Sequence, residues 1–173
     1  MQNDLSLQLR PEQPSDCAAI DEIVRSAFWL EFASTSEVPL VQTLRERDEL
    51  VRELTLVALE DNVVVGYIAM SEVTRDGASA RGLGLAPVAV DPQRQGAGIG
   101  SALIEASLAI AVRAGWQFVV LLGHAEYYPR FGFVPAREHG VTGDYGDGDG
   151  WMVRALTDEP PSPGHVRYCS AFQ

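Results

Sequence analysis

Val88-Ala89-Val90-Asp91-Pro92-Gln93-Arg94-Gln95-Gly96-Ala97-Gly98-Ile99-Gly100-Ser101 reads as an apolar strand feeding a glycine-rich turn that opens a helix. The helix runs from Ile99 to Ala114 and is closed by Gly115, after which Trp116 to Leu122 reads as a buried strand. Strand, helix and strand in this span imply a parallel crossover. A helix start of this kind is an anion site. Its first amides have no intrahelical acceptor, the helix dipole is positive there, and glycines let a phosphate approach the backbone. Gly96, Gly98 and Gly100 cost helix stability without an evident structural need, which points to a ligand rather than to packing. A dinucleotide fingerprint requires glycine where Ser101 stands, and a nucleoside triphosphate loop requires Gly-Lys-Ser/Thr, which the stretch lacks.

Working outward, Leu5 to Arg10 alternates like a strand, and Pro11 and Pro14 interrupt it before Ser15 or Asp16 can cap a helix. Ile20, Ile23, Val24, Ala27 and Phe28 recur at helical spacing. A second helix is expected over Glu37 to Val51, with Leu40, Val41, Leu44 and Leu50 on its apolar side. Leu54 to Leu59 and Val63 to Val73 read as strands joined by a Glu60-Asp61-Asn62 turn, and another strand runs from about Gly82 to Val90. Tyr127 to Arg130 allows one short helical turn. Phe133-Val134 and Trp151 to Leu156 are expected as late strands, joined through the Gly/Asp-rich loop at 143 to 150. No repeat and no long linker divides the chain, so residues 1–173 are expected to form one mixed α/β domain.

Composition narrows the function. The 173 residues, 46% hydrophobic and 21% charged, suit a single core. Thirteen Lys and Arg against 24 Asp and Glu leave a net charge of −11, which argues against a nucleic-acid partner, since such binding draws on basic side chains that neutralise phosphates. No stretch approaches the ~20 apolar residues of a membrane span, and Met1-Gln2-Asn3-Asp4 lacks the basic and apolar regions of a signal peptide, so the expected place is the cytoplasm, away from a membrane. Cys17 and Cys169 lie near opposite ends of the chain and suggest neither a disulfide framework nor a zinc site. No pattern chooses between a monomer and a homodimer.

Gln95-Gly96-Ala97-Gly98-Ile99-Gly100 resembles the Gln/Arg-x-x-Gly-x-Gly/Ala signature of the GNAT superfamily of N-acyltransferases. About thirty residues on, Tyr128-Pro129-Arg130-Phe131-Gly132-Phe133 is similar to that family's Tyr-x-x-x-Gly-Phe. The run Leu122 to Phe133 and the ending Val166-Arg167-Tyr168 look like its bacterial YhbS-type subgroup, so the resemblance covers nearly the whole chain. It implies a central mixed, mostly antiparallel sheet with helices on both faces, in which two parallel strands splay apart to admit the pantetheine arm of acetyl-CoA. Pro87 marks a bulge or an interrupted pairing on independent grounds, because proline donates no ladder hydrogen bond. By the resemblance, Val88, Ala89 and Val90 would lie along the pantetheine. The amides of Gln95, Gly96, Ala97, Gly98, Ile99, Gly100 and Ser101 would hold the pyrophosphate, and Tyr128 would touch the sulfur.

The implied reaction moves an acetyl group from coenzyme A to a primary amine, by direct attack and without an acyl-enzyme. The amine must be neutral, the tetrahedral oxyanion needs a donor, and the leaving thiolate benefits from a proton. Tyr128 is the candidate acid, with Tyr127 the neighbour that could exchange roles with it. Many family members carry a glutamate on the strand before the glycine turn, but Gly82 to Val90 holds no acid. His124 and Glu126 are the substitutes. The alternatives are that His124 orients the loop, that Glu126 caps the short helix, and that water alone takes the proton. The missing strand acid also leaves open a non-catalytic acyl-CoA sensor or partner protein.

Other constellations fall short. His124-Ala125-Glu126 lacks the Pro-Cys-x-x-Cys half of a zinc deaminase, Asp144, Asp147 and Asp149 lack the glutamate that closes a calcium loop, and no Gly-x-Ser-x-Gly elbow is present. No metal is expected. The acceptor carries no motif. Glu31, Glu37 and the aspartates at 144 to 149 are the groups that could attract a cationic amine.

Overall fold

A computed structural model describes residues 7–173. The expected first strand falls partly outside them: Leu5 and Ser6 are not described, and β1 covers Gln8–Pro11. Then follow α1 (Cys17–Phe32), α2 (Glu37–Glu46), β2 (Leu56–Glu60), β3 (Val63–Arg75), β4 (Ala78–Val90), α3 (Ile99–Arg113) and β5 (Phe118–Leu122). β6 (Val134–Pro135), β7 (Val141–Gly143), β8 (Trp151–Ala155) and β9 (Gly164–Arg167) complete the sheet. Its order is β1-β2-β3-β4-β5-β8-β6, with β9 bridging β3 and β7. Pairing is antiparallel except for β4 with β5, the expected crossover around α3, and β7 with β9.

Two helical layers cover the sheet. The apolar stripe of α1 (Ile20, Ile23, Val24, Ala27) and Val38 and Val41 of α2 pack on Val57, Tyr67 and Ala89. On the opposite face Leu103, Ile104, Leu108 and Ala111 of α3 pack on Leu56, Ile68, Met70 and Leu83. The 3.6-residue spacing of these side chains makes each helix amphipathic, and burial against a flat strand face holds it. A third cluster, around Phe118, Trp151, Val153 and Tyr168, fills the end of the sheet beyond β5.

Several expectations change. α2 stops at Glu46 instead of Val51, because Asp48 takes a left-handed φ of 54° and Leu50 pairs with Ser71 as an isolated bridge. Asp16 does not cap α1 with its side chain. Its buried carboxylate accepts from the Gln13 amide and from Arg10 at 2.6 and 2.9 Å, tying β1 to the start of the helix. Leu54 ends a 3₁₀ turn ahead of β2. β4 begins four residues earlier than Gly82, at Ala78, because Asp76-Gly77 makes a second two-residue turn with both φ angles positive, as Asp61-Asn62 does between β2 and β3. The late loop gives up Gly143 to β7, and β7 and β9 were not anticipated at all.

Candidate active site

β4 and β5 pair only from Gly82 to Gly84, against Phe118 to Val120. Beyond that point β5 keeps only β8, its partner from Phe118 to Leu122, and β4 continues beside β3 alone as far as Val90. Leu85 to Val90 therefore presents one unpaired edge to the space between the parting strands. The ladder with β3 shifts register between Ile68 and Met70, opposite Pro87, which is the irregularity its proline announces. Tyr168 sits where the strands part. Its ring lies so close over Gly84 that a Cβ there would come within 2.2 Å, and its hydroxyl donates to the Val120 carbonyl at 3.2 Å.

The unpaired edge runs straight into the glycine turn. Asp91 accepts from the Gln93 amide at 3.0 Å and pairs with Arg94 at 2.5 Å; Arg94 also pairs with Glu60 at 2.8 Å. The Gln95 side chain donates to the Val90 carbonyl at 3.3 Å, fastening the turn to the strand. Gly96 and Gly98 adopt φ values of 80° and 84°, which an L-residue resists, and Gly98 is the N-cap of α3. Gly66 seats the helix. A Cβ there would come within 2.8 Å of Ile99, so the glycine lets α3 lie directly on β3. Sequence reading passed over Gly66, although a glycine inside a run of β-branched residues marks such an approach.

Edge and turn open into one cleft of about 650 Å³. Val88, Ala89, Val90, Gln95, Gly96, Gly98, Ile99, Gly100 and Ser101 all line it; Ala97 is exposed and does not. Tyr127 closes over the turn, its hydroxyl 3.2 Å from Ser101 Oγ and its ring under the Arg130 guanidinium at 4.5 Å. Tyr128 lines the same cleft with its ring edge-on to Tyr127 and Phe133, and Gly123 makes room for it, since a Cβ there would come within 2.4 Å of the ring. Burial, then the neighbouring Tyr127 and Glu31, push the Tyr128 phenol up to about 12. It stays protonated at neutral pH and has a proton to donate.

The two base candidates separate. His124 lines the cleft with its Nε2 3.3 Å from Glu31 Oε1 of α1 and its ring 6.1 Å from that of Phe32, while its carbonyl accepts from the Tyr127 and Tyr128 amides. Glu126 is exposed, does not line the cleft, and makes no side-chain cap on the short turn Tyr128–Phe131. Phe28, Phe32, Leu40, Tyr145 and Phe172 also line the cleft, and none was singled out as a site residue from the sequence. Among the described residues no three His, Cys, Asp or Glu side chains gather as a metal site, and no helix is long and apolar enough to cross a membrane.

Known proteins share this arrangement. Residues 52–135 match the acetyltransferase (GNAT) domain. The chain is 35% identical over 161 residues to the uncharacterized N-acetyltransferase YjhQ of Escherichia coli K12, covering 88% of this chain and 87% of YjhQ. It is also 35% identical over 153 residues to YhbS of the same strain, covering 87% and 88%. The crystal structure of E. coli YhbS in complex with CoA superposes with a TM-score of 0.91 at 33% identity, covering 99% of this chain and 94% of that one. A GNAT acetyltransferase of Brucella melitensis in complex with acetyl-CoA superposes with a TM-score of 0.83 at 36% identity, covering 98% and 99%. The splayed strands, the glycine turn and these relatives agree, and the chain belongs to the GNAT family of acetyltransferases.

Proposed function

We propose that the chain, acting as a single domain over residues 1–173, transfers the acetyl group of acetyl-CoA to a primary amine by direct attack. One observation carries this reading: an unpaired strand edge, Leu85 to Val90, runs into the glycine turn at the start of α3, with Tyr128 in the same cleft. An extended amide-bearing arm can add to a free strand edge as a further strand, and a pyrophosphate suits the amides of a helix start. The relatives crystallised with CoA and acetyl-CoA support the choice of ligand.

The chemistry follows from the positions. The amine nitrogen attacks the thioester carbonyl, the C–N bond forms, and the oxygen becomes negative. An amide on the β4 edge is the available donor to that oxygen. The C–S bond then breaks, and the leaving sulfur takes its proton from the Tyr128 hydroxyl, which lines the same cleft. Phenolate recovers a proton from the new amide nitrogen, so no acyl-enzyme is needed. Of the two carboxyl and imidazole candidates, His124 is the one facing the amine's side of the cleft. The separation of the partly buried thiols Cys17 and Cys169 suits a reducing cytoplasm. Tyr128→Phe tests the assignment. Turnover is expected to collapse while acetyl-CoA affinity stays within about twofold; unchanged turnover would remove Tyr128 from the mechanism.

A further inference from the structure

The two ends of the cleft differ in charge. At the glycine turn stand the arginines, Arg94 and Arg130, the latter over Tyr127. At the other end α1 contributes Phe28, Glu31 and Phe32, and β5 with its following loop contributes Leu122 and His124. Phe32, Leu122 and Tyr145 are 53%, 55% and 41% exposed, an unusual amount of apolar surface around one cleft. No basic group but His124 lines that end among the described residues, and the chain's thirteen Lys and Arg residues are all arginines. The Glu31–His124 pair is itself open to solvent, with side chains 49% and 63% exposed, and such a pair adds little to stability.

Resting on the acetyltransferase reading, we propose that the acceptor is a small primary amine with an apolar, ring-sized body and no carboxylate, whose ammonium takes the place of His124 Nε2 against the Glu31 carboxylate and leaves that nitrogen free beside it. A body of that kind covers Phe32 and Leu122, which otherwise face water, and meets the half-buried Phe28. The Glu31 carboxylate attracts the ammonium and repels an acceptor carboxylate, for which this end offers no arginine. His124 Nε2 takes one ammonium proton, leaving the neutral amine to attack; the exposed imidazolium then returns that proton to water. The other ionisable groups facing this space are Glu37 from α2, Tyr127 and Tyr128 beside His124, Tyr145 from the late loop, Tyr168 at the strand fork, and Arg94 and Arg130 at the turn.

Three probes separate the terms: phenethylamine, phenylalanine, which adds only a carboxylate, and putrescine, which removes the ring. N-acetyl product is read by mass spectrometry, and a chain without lysine offers no ε-amine to compete. For the wild-type protein kcat/KM is expected to be at least about tenfold higher for phenethylamine than for either other probe. Glu31→Gln is expected to shrink the preference over phenylalanine to under about threefold, and Phe32→Ala to raise KM for phenethylamine about tenfold with kcat within twofold. Acetyl-CoA affinity of each variant, measured by calorimetry, is expected to match wild type. Equal or better use of phenylalanine or putrescine, a preference untouched by Glu31→Gln, or no acetylation of phenethylamine by protein that binds acetyl-CoA would each overturn the proposal alone. Wild-type protein that fails to bind acetyl-CoA would overturn the acetyltransferase reading beneath it.

Discussion

The donor half of the cleft and the acceptor half are built from different materials. The donor half is one continuous stretch, Leu85 to Ser101, and what it offers is backbone: a bare strand edge, two left-handed glycines and the amides of a helix start. The acceptor half draws side chains from α1, α2, the segment after β5, the late loop and the C-terminal turn, from Phe28 to Phe172. Backbone chemistry does not vary with the side chains around it, so a donor site made of it can be shared widely. A wall of side chains from five places can change one residue at a time. Under the proposed function, specificity therefore belongs to the second half.

Substitutions can separate the halves. The largest effect is expected for Tyr128→Phe, which stands at their junction: kcat should fall roughly a hundred- to ten-thousandfold in steady-state assays. Ser101→Asp attacks the donor half alone. A carboxylate in the first turn favours the helix but repels a pyrophosphate, so calorimetry should show acetyl-CoA binding about a hundredfold weaker in a protein that melts no lower than wild type. Asp16→Asn tests whether the far end of α1, which carries Glu31 and Phe32, depends on its anchor at Arg10. Urea unfolding at pH 7 should show a loss of about 2–3 kcal/mol with acetyl-CoA affinity unchanged. The hydrogen bond from Arg10 holds the Asp16 carboxyl below its usual range. Its contribution is therefore present above the ordinary carboxylate range and is lost as pH falls from that range through the lowered value, below which the mutant and wild-type curves should converge.

The smallest expected effect is an absence of change. With its phenol at about 12, Tyr128 should impose no alkaline decline on kcat below pH 10. The same raised value means that the neutral phenol supports the fold below pH 10 and that this support is lost as pH climbs through 12. A decline in kcat centred well below 10 and abolished in Tyr128→Phe would contradict the burial seen here.

What the sequence revealed follows the same division. The glycine turn, the crossover and the interruption at Pro87 were legible because each is a local backbone demand written in glycine or proline. Phe28 was read only as part of a core stripe, since helical spacing does not say whether the last turn lies over the sheet or over a cleft; α1 outruns the sheet, and Phe32 ends exposed. Leu40 was read on the apolar side of the second helix, and it lines the cleft from the first turn of α2. The pairing of Glu31 with His124 joins residues from opposite walls, which no local pattern announces. β7 and β9 are three and four residues long, too short for alternation to register, and only pairing with each other, and of β9 with β3, makes them strands.

The most direct test of the donor site is thermal unfolding of the purified protein with saturating acetyl-CoA, with ATP and NADH as controls. A ligand that binds only the folded chain raises its Tm, by an amount set by concentration over Kd. A rise of several degrees with acetyl-CoA and none with NADH or ATP is the expected result. No rise with acetyl-CoA at a millimolar concentration would contradict the assignment of the strand edge and glycine turn to coenzyme A.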